Sequence, residues 1–232
     1  MREKAEGISR DFLFEKALNK SELSFICEIK KASPSKGVIA EDFPYLAIAS
    51  DYEKAGVSAI SVLTEPYWFK GANEYLTEIS RTVNTPLLRK DFTVDEYMIY
   101  EASVLGASAV LLICSILEYE QLLEYIKIAD SLRLSSLVET HDEREIEMAL
   151  KANARIIGVN NRNLKTFEVD ISLSEKYRKL VPPEVVFVAE SGINNADDVQ
   201  TLRNVGVNAV LIGESIMRSN DKKAMICNLR GY

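Results

Sequence analysis

The chain has 232 residues, 47% of them hydrophobic, which is enough for one large core and too short for two full α/β domains. Its net charge of −7 excludes a nucleic-acid backbone as the main partner but allows a small anion held by local lysines. Three scattered cysteines, Cys27, Cys114 and Cys227, fit no metal or redox spacing and read as buried reduced thiols, and no apolar run approaches the roughly 18 residues of a membrane span.

The N-terminal stretch MREKAEGISRDF has no signal-like apolar core, so a cytoplasmic protein is the expectation. Residues 1–24 read as a short N-terminal extension, with ISRDFLFEKALNK (8–20) as its helix. The first apolar run, FICEIK (25–30), continues into ASPSKG. Glu28 and Lys30 are two residues apart, so a strand points both to one side, and two charges there are costly for a plain core. Lys31 points the other way and reads as structural, whereas Lys36 rides on the following loop, which reads as mobile.

An amphipathic helix is predicted over 44–55 and a strand over AISVLT (59–64), followed by the aromatic loop EPYWFKG (65–71). Strands follow at PLLRKDF (86–92) and AVLLICS (109–115), then a helix over 118–132. The remaining strands are SLVETH (136–141), IIGVNN (156–161), VVFVAES (185–191) and AVLIGES (209–215). KAGVSA, VLGASA and NVGVNA place glycines where helices end ahead of a strand. Eight such units, apolar on both strand faces and with no linker between them, predict one α/β domain over 1–232: a single (β/α)8 TIM barrel with a short N-terminal helical extension.

In such barrels the functional face lies at the C-terminal ends of the strands. Polar residues gather there: Glu28, Lys30, Lys90, Glu139, Asn160, Arg162, Glu190 and Ser191. One such residue is an acceptable core oddity; charges at five strand ends together predict a site. Asp91 reads as structural or solvated. His141, the only histidine, reads as part of a helix start capped by Thr140 or Asp142. The loops after strands seven and eight, with Gly192, Gly213 and Glu214, read as a phosphate site.

CEIKKASPSKG, PLLRKDF, LVETHDE, IIGVNNRNLKTFEVD, VAESGI and LIGESIM occur in order over about residues 25–218, and together they resemble the indole-3-glycerol phosphate synthase family. The resemblance implies closure of an indole ring from 1-(2-carboxyphenylamino)-1-deoxyribulose 5-phosphate, with loss of carbon dioxide and water and with no metal or organic cofactor. It implies Lys90 as general acid and Glu139 as general base. Lys30 binds the anionic substrate or acts as second acid, Glu28 holds the lysines, and Asn160 and Glu190 orient substrate. Arg162 supports them or the carboxylate end. Ser191, Gly192, Gly213 and Glu214 hold phosphate, and Phe69 and Phe92 flank the aromatic ring. A second lysine should push the Lys90 pKa down and Glu28 push it back. Family members carry more helical chain over the site before the first strand, so 8–20 is expected to serve there. The partner is a phosphorylated small molecule, with no nucleic acid or membrane, and the chain is expected to be a monomer or weak homo-oligomer. Two rivals remain: phosphoribosylanthranilate isomerase, which needs a Cys/Asp pair where Glu28, Lys30 and Glu139 stand, and a non-catalytic barrel that only binds.

Overall fold

The computed structural model describes residues 1–8, 11–163 and 166–231. Ser9 and Arg10 of the expected N-terminal helix, Leu164 and Lys165 of the GVNNRNLK segment, and Tyr232 lie outside the described residues. Eight parallel strands close a barrel: β1 (Ser24–Ile29), β2 (Ala59–Leu63), β3 (Leu87–Lys90), β4 (Ala109–Ile113), β5 (Ser135–Thr140), β6 (Ile156–Asn160), β7 (Val186–Glu190) and β8 (Ala209–Ile212). Each pairs with its neighbours in sequence, and β8 returns to β1, with Cys27 opposite Ile212. Closure leaves none of these eight barrel strands with an open edge.

The strands are buried on both faces because each face meets a different apolar layer. Phe25, Cys27 and Ile29 point outward into the cluster beneath the helices, and Ile26 points inward with Ala59, Leu88, Leu111 and Leu137. The two-residue alternation that sends Ile26 inward does the same for Glu28 one pair later. It also sends Arg89 outward, where its guanidinium lies 2.8 Å from Glu101 and donates to Asn73 Oδ1 at 3.1 Å and to the Met98 carbonyl at 3.0 Å.

The helices are α1 (Arg2–Glu6), α2 (Leu13–Leu18), α3 (Tyr45–Lys54), α4 (Asn73–Thr82), α5 (Glu96–Leu105), α6 (Tyr119–Ser131), α7 (Glu143–Lys151), α8 (Ser172–Arg178), α9 (Ala196–Asn204), α10 (Glu214–Arg218) and α11 (Lys222–Arg230). The predicted helices over 44–55 and 118–132 are α3 and α6, each within a residue of its expected ends. Glu118 and Gln121 start α6 with a reciprocal capping box. Gly106 ends α5 at φ 104° and an added Cβ would meet Ser80 Oγ at 2.3 Å, so conformation and close approach both require glycine there.

The N-terminal helix lies elsewhere than expected. α2 does not cover the charged strand ends; it closes the opposite mouth of the barrel. Phe14 and Leu18, four apart on one helix face, are fully buried among inward residues of the strands. The Glu15 amide donates to Ser135 Oγ at the start of β5, and the Phe12 amide to the Arg133 carbonyl. Arg155 binds Asp130 through both terminal nitrogens and Glu15 through Nε, locking the plug to the barrel wall. The apolar stripe of α2 is better satisfied by the dry floor of the barrel than by an open cleft. Among the described residues no helix is long and apolar enough to cross a membrane.

Candidate active site

The inward positions change character near the C-terminal strand ends. Above Ile26, Leu88, Leu137 and Val188, which are all apolar, stand Glu28, Lys90, Glu139 and Glu190. Neighbouring strands supply Asn160, opposite Glu190 in the ladder, and Ser61, opposite Glu28. The structure brings the whole predicted charged set together. Lys30 Nζ lies 2.6 Å from Glu28 Oε1, and Ser61 Oγ donates to Glu28 Oε2 at 3.4 Å. Lys90 Nζ donates to Glu139 Oε2 at 2.8 Å and lies 3.6 Å from Glu190 Oε2. Asn160 Nδ2 donates to the other Glu139 oxygen at 3.1 Å.

Burying charges in this way is tolerated only because they pair. Burial by itself would lower the Lys90 pKa, but Glu139, Glu190 and Glu28 outweigh it and hold the ammonium above its ordinary value. Of the two opposed influences expected, the upward push by Glu28 is present and Glu139 and Glu190 add to it, while burial rather than a second lysine supplies the downward one. Burial would raise the Glu139 pKa, and Lys90 together with His141 overcomes it, holding this carboxyl well below its usual range. Glu190 moves the other way. Its burial is only partly offset by Lys90, and nearby Glu139 and Glu28 add to the rise. Two carboxyls on next-but-one strands are thus driven apart in proton affinity: Glu139 is held as the anion, and Glu190 is disposed to hold a proton.

Two glycines make room for this set. An added Cβ at Gly158, in the middle of β6, would sit 2.1 Å from Glu190 Oε1. A Cβ at Gly213 would sit 2.7 Å from Glu28 Oε1 and 3.3 Å from Lys30 Nζ. The need for Gly213 is thus space for the Glu28–Lys30 pair as much as approach to an anion. Gly158 was missed by sequence reasoning, although a glycine inside a strand is a signal of close approach.

Over the charged floor lies a cleft of about 530 Å³ with an apolar wall of Trp68, Phe69, Phe92, Ile116 and Phe167. Phe69 and Phe92, both predicted, stand 6.3 Å apart between ring centroids. The loop that carries Trp68 and Phe69 is fastened from below by Glu65, which continues the inward parity of β2 and is buried. Its carboxylate accepts the amides of Tyr67, Trp68 and Phe69 at 2.8, 2.7 and 2.9 Å. Sequence reasoning missed Glu65, which a reader sees only as the start of a loop. Replacing it with Ala is expected to raise KM about ten-fold, with a smaller change in kcat, through loss of charge-assisted bonds that shape the wall. Steady-state kinetics checks this, and the emission anisotropy of Trp68, the only tryptophan, should fall as the loop loosens.

The segment after β1, expected to be a loop over the site, carries a short hydrogen-bonded hairpin. Ala32 pairs with Val38 and Ser33 with Gly37, and the Ala32 amide donates to the Phe69 carbonyl, tying the two loops together. The Lys31 carbonyl accepts the amides of Ile39 and Ala40. Asp91 is structural as expected: it accepts from Thr64 Oγ1 and from the Phe92 amide.

A second recess of about 330 Å³ adjoins the cleft at Arg162, Phe167, Gly213 and Glu214. Gly192, Asn194, Ser215 and Lys36 complete it, and Ser191 lies on the side of the main cleft. Gly192 has φ 81°, and its Cβ would strike Val169 Cγ1 at 2.4 Å. Glu214, predicted to bind phosphate, brings a carboxylate into this recess, 3.8 Å from Lys36, 3.9 Å from Arg162 and 3.3 Å from Arg218.

His141 departs from its expected place. Asp142 is the helix cap, accepting the Glu145 amide at 2.9 Å, but the His141 ring turns toward the site, with Nε2 3.2 Å from Glu139 Oε1. The strand parity runs one residue pair further than the sequence reading allowed.

Solved structures share this architecture at low identity. A 3-hexulose-6-phosphate synthase from Salmonella typhimurium superposes with a TM-score of 0.74 at 12% identity, over 90% of this chain and 97% of that one. A second 3-hexulose-6-phosphate synthase gives 0.70 at 16%, over 90% and 99%. Sequence relatives are much nearer. The indole-3-glycerol phosphate synthase of Ruminiclostridium cellulolyticum is 60% identical over 220 residues, 95% of this chain and 85% of the relative. That of Lachnoclostridium phytofermentans is 54% identical over 227 residues, 97% and 84%. The family model described as indole-3-glycerol phosphate synthase matches residues 3–229. With the family model and both relatives matching nearly the whole length, the chain belongs to the indole-3-glycerol phosphate synthase family.

Proposed function

We propose that this site converts 1-(2-carboxyphenylamino)-1-deoxyribulose 5-phosphate to indole-3-glycerol phosphate in tryptophan biosynthesis, acting as a carboxy-lyase. The observation that carries the reading is the ion pair at 2.8 Å between Lys90 and Glu139, beneath an aromatic wall. Ring closure joins a ring carbon to the ketone carbon and places negative charge on the ketone oxygen. Lys90, held protonated by the carboxylates around it, is the acid for that oxygen. Loss of carbon dioxide restores the aromatic ring. Loss of water then needs a base, and Glu139, held ionised, takes that part. Lys30 draws the substrate carboxylate and is the second acid that helps the hydroxyl leave. Glu28 holds Lys30, and Asn160 and Glu190 orient the sugar chain. Phe69 and Phe92 flank the anthranilate ring. Phosphate takes the smaller recess, against Gly192, Gly213 and Arg162, with Ser191 at its border with the main cleft, and the Glu214 carboxylate yields its cations to it.

The test is to incubate the purified chain with that substrate and follow indole fluorescence. Turnover is expected; no signal from folded protein overturns the reading. Arg162→Ala is expected to raise KM about ten- to a hundred-fold with kcat little changed, the loss typical of one charge-assisted contact. A fall in kcat at constant KM would move Arg162 from binding to chemistry.

A further inference from the structure

His141 is the only histidine of the chain, and both its nitrogens face carboxylates. Nδ1 lies 3.0 Å from Glu145 Oε2, and the same oxygen accepts the backbone N–H of residue 141 at 2.8 Å. Glu145 is itself fixed in the first turn of α7, its amide donating to Asp142. Ring and backbone are thus fastened to one carboxylate outside the cleft, while Nε2 faces Glu139 inside it. Other titratable groups nearby are Asp142, Lys90 and Glu190 across the barrel, and the Cys114 thiol. Burial first, then Glu145, pushes that thiol up to about 12, so it is neutral.

Glu139 therefore has three partners: Lys90 on Oε2, and Asn160 and His141 on Oε1. Lys90 is the partner that must turn away, since an acid has to reach the substrate oxygen. When it does, the cation left beside Glu139 is His141, whose place does not depend on substrate. We propose that His141, anchored by Glu145, is a positioning residue for Glu139, keeping that carboxylate oriented and charged after Lys90 has turned to the substrate. The proposal rests on the reading of Glu139 as the base. Burial would lower the imidazole pKa, but the Glu139 and Glu145 carboxylates on its two sides push it up to about 10; Nε2 approaches Glu139 as an ion-pair contact rather than as an aligned hydrogen bond.

Two measurements test this. In a single-histidine chain the labelled imidazole gives one unambiguous NMR titration. In the intact protein without substrate its midpoint should lie near 10, and Glu139→Gln should lower it by about one unit or more. A midpoint near the ordinary value of about 6.5, or one that Glu139→Gln leaves in place, overturns the proposal. In kinetics, His141→Ala should lower kcat about ten- to a hundred-fold with KM nearly constant, and move the acid limb of the kcat–pH profile upward. His141→Gln, whose amide N–H reaches the place of Nε2, should restore most of kcat yet leave the acid limb displaced, because the charge is gone. Glu145→Gln, which leaves the ring in place, should give a smaller loss of the same kind and so covers the case in which His141→Ala fails to fold. Equal losses in the Ala and Gln variants without a pH shift, or a rise in KM alone, overturn the proposal. If the wild-type chain gives no turnover, the reading of the site fails and the proposal falls with it. That outcome is distinguishable, because the NMR contact between His141 and Glu139 would persist.

Discussion

Lys90→Met is expected to lower kcat by about 10²- to 10⁴-fold, the range associated with loss of a positioned acid. Methionine fills much of the same volume without a charge, so the effect is chemical rather than steric. The fold should survive, because neither carboxylate that faces Lys90 depends on it alone. Glu139 keeps Asn160 on one oxygen and His141 beside it. Glu190, whose pKa burial already raises, takes a proton and becomes neutral. The measurement is indole fluorescence under steady state, with circular dichroism melts of both chains. An unchanged kcat would remove Lys90 from the mechanism. A lost melting transition would mean that the pair holds the barrel together more than the remaining contacts suggest.

The barrel was legible because its signals are local. Apolar runs such as AVLLI and AIS, repeated between amphipathic helices that end in glycine, specify parallel strands covered on both sides. The charged floor was legible for a related reason. Glu28, Lys90, Glu139 and Glu190 each break an apolar run at its C-terminal end, where another aliphatic would otherwise pack. What escaped depends on contacts between distant segments. α2 displays an apolar stripe, but periodicity does not say which end of the barrel the stripe meets. Glu65 earns its role from three amides within its own loop, a geometry invisible until the loop is folded. Gly158 is explained only by a carboxylate 32 residues later on the next strand. His141 sits where strand parity and helix capping compete for the same residue, and the cap belongs to Asp142 instead. For Lys90 the sequence names opposing charges but not their distances, and the shift depends on which of them lie closest.

Glu139→Gln separates the steps of the proposed reaction as well as slowing it. Glutamine keeps the shape of the side chain, and its amide oxygen still accepts from Asn160. Lys90 loses its partner at 2.8 Å, but Glu28 still favours its charged form and Glu190 remains 3.6 Å away as a hydrogen-bonding group, so it stays charged and competent as an acid. Ring closure and loss of carbon dioxide need that acid and an electron-rich ring, but not a base at position 139. Loss of water needs the base. The expected result is therefore a fall in steady-state indole formation of about 10²- to 10⁴-fold, while a single turnover still releases carbon dioxide much faster than indole appears. Labelled carbon dioxide from the substrate carboxylate and indole fluorescence, followed in the same mixing experiment, give the two rates. In Lys90→Met the two signals should instead fall together, because the first bond never forms. If Glu139→Gln slows carbon dioxide release as much as indole formation, Glu139 acts before decarboxylation, and its ion pair with Lys90 is a proton-sharing unit of the first step rather than a resting arrangement of two separate catalysts.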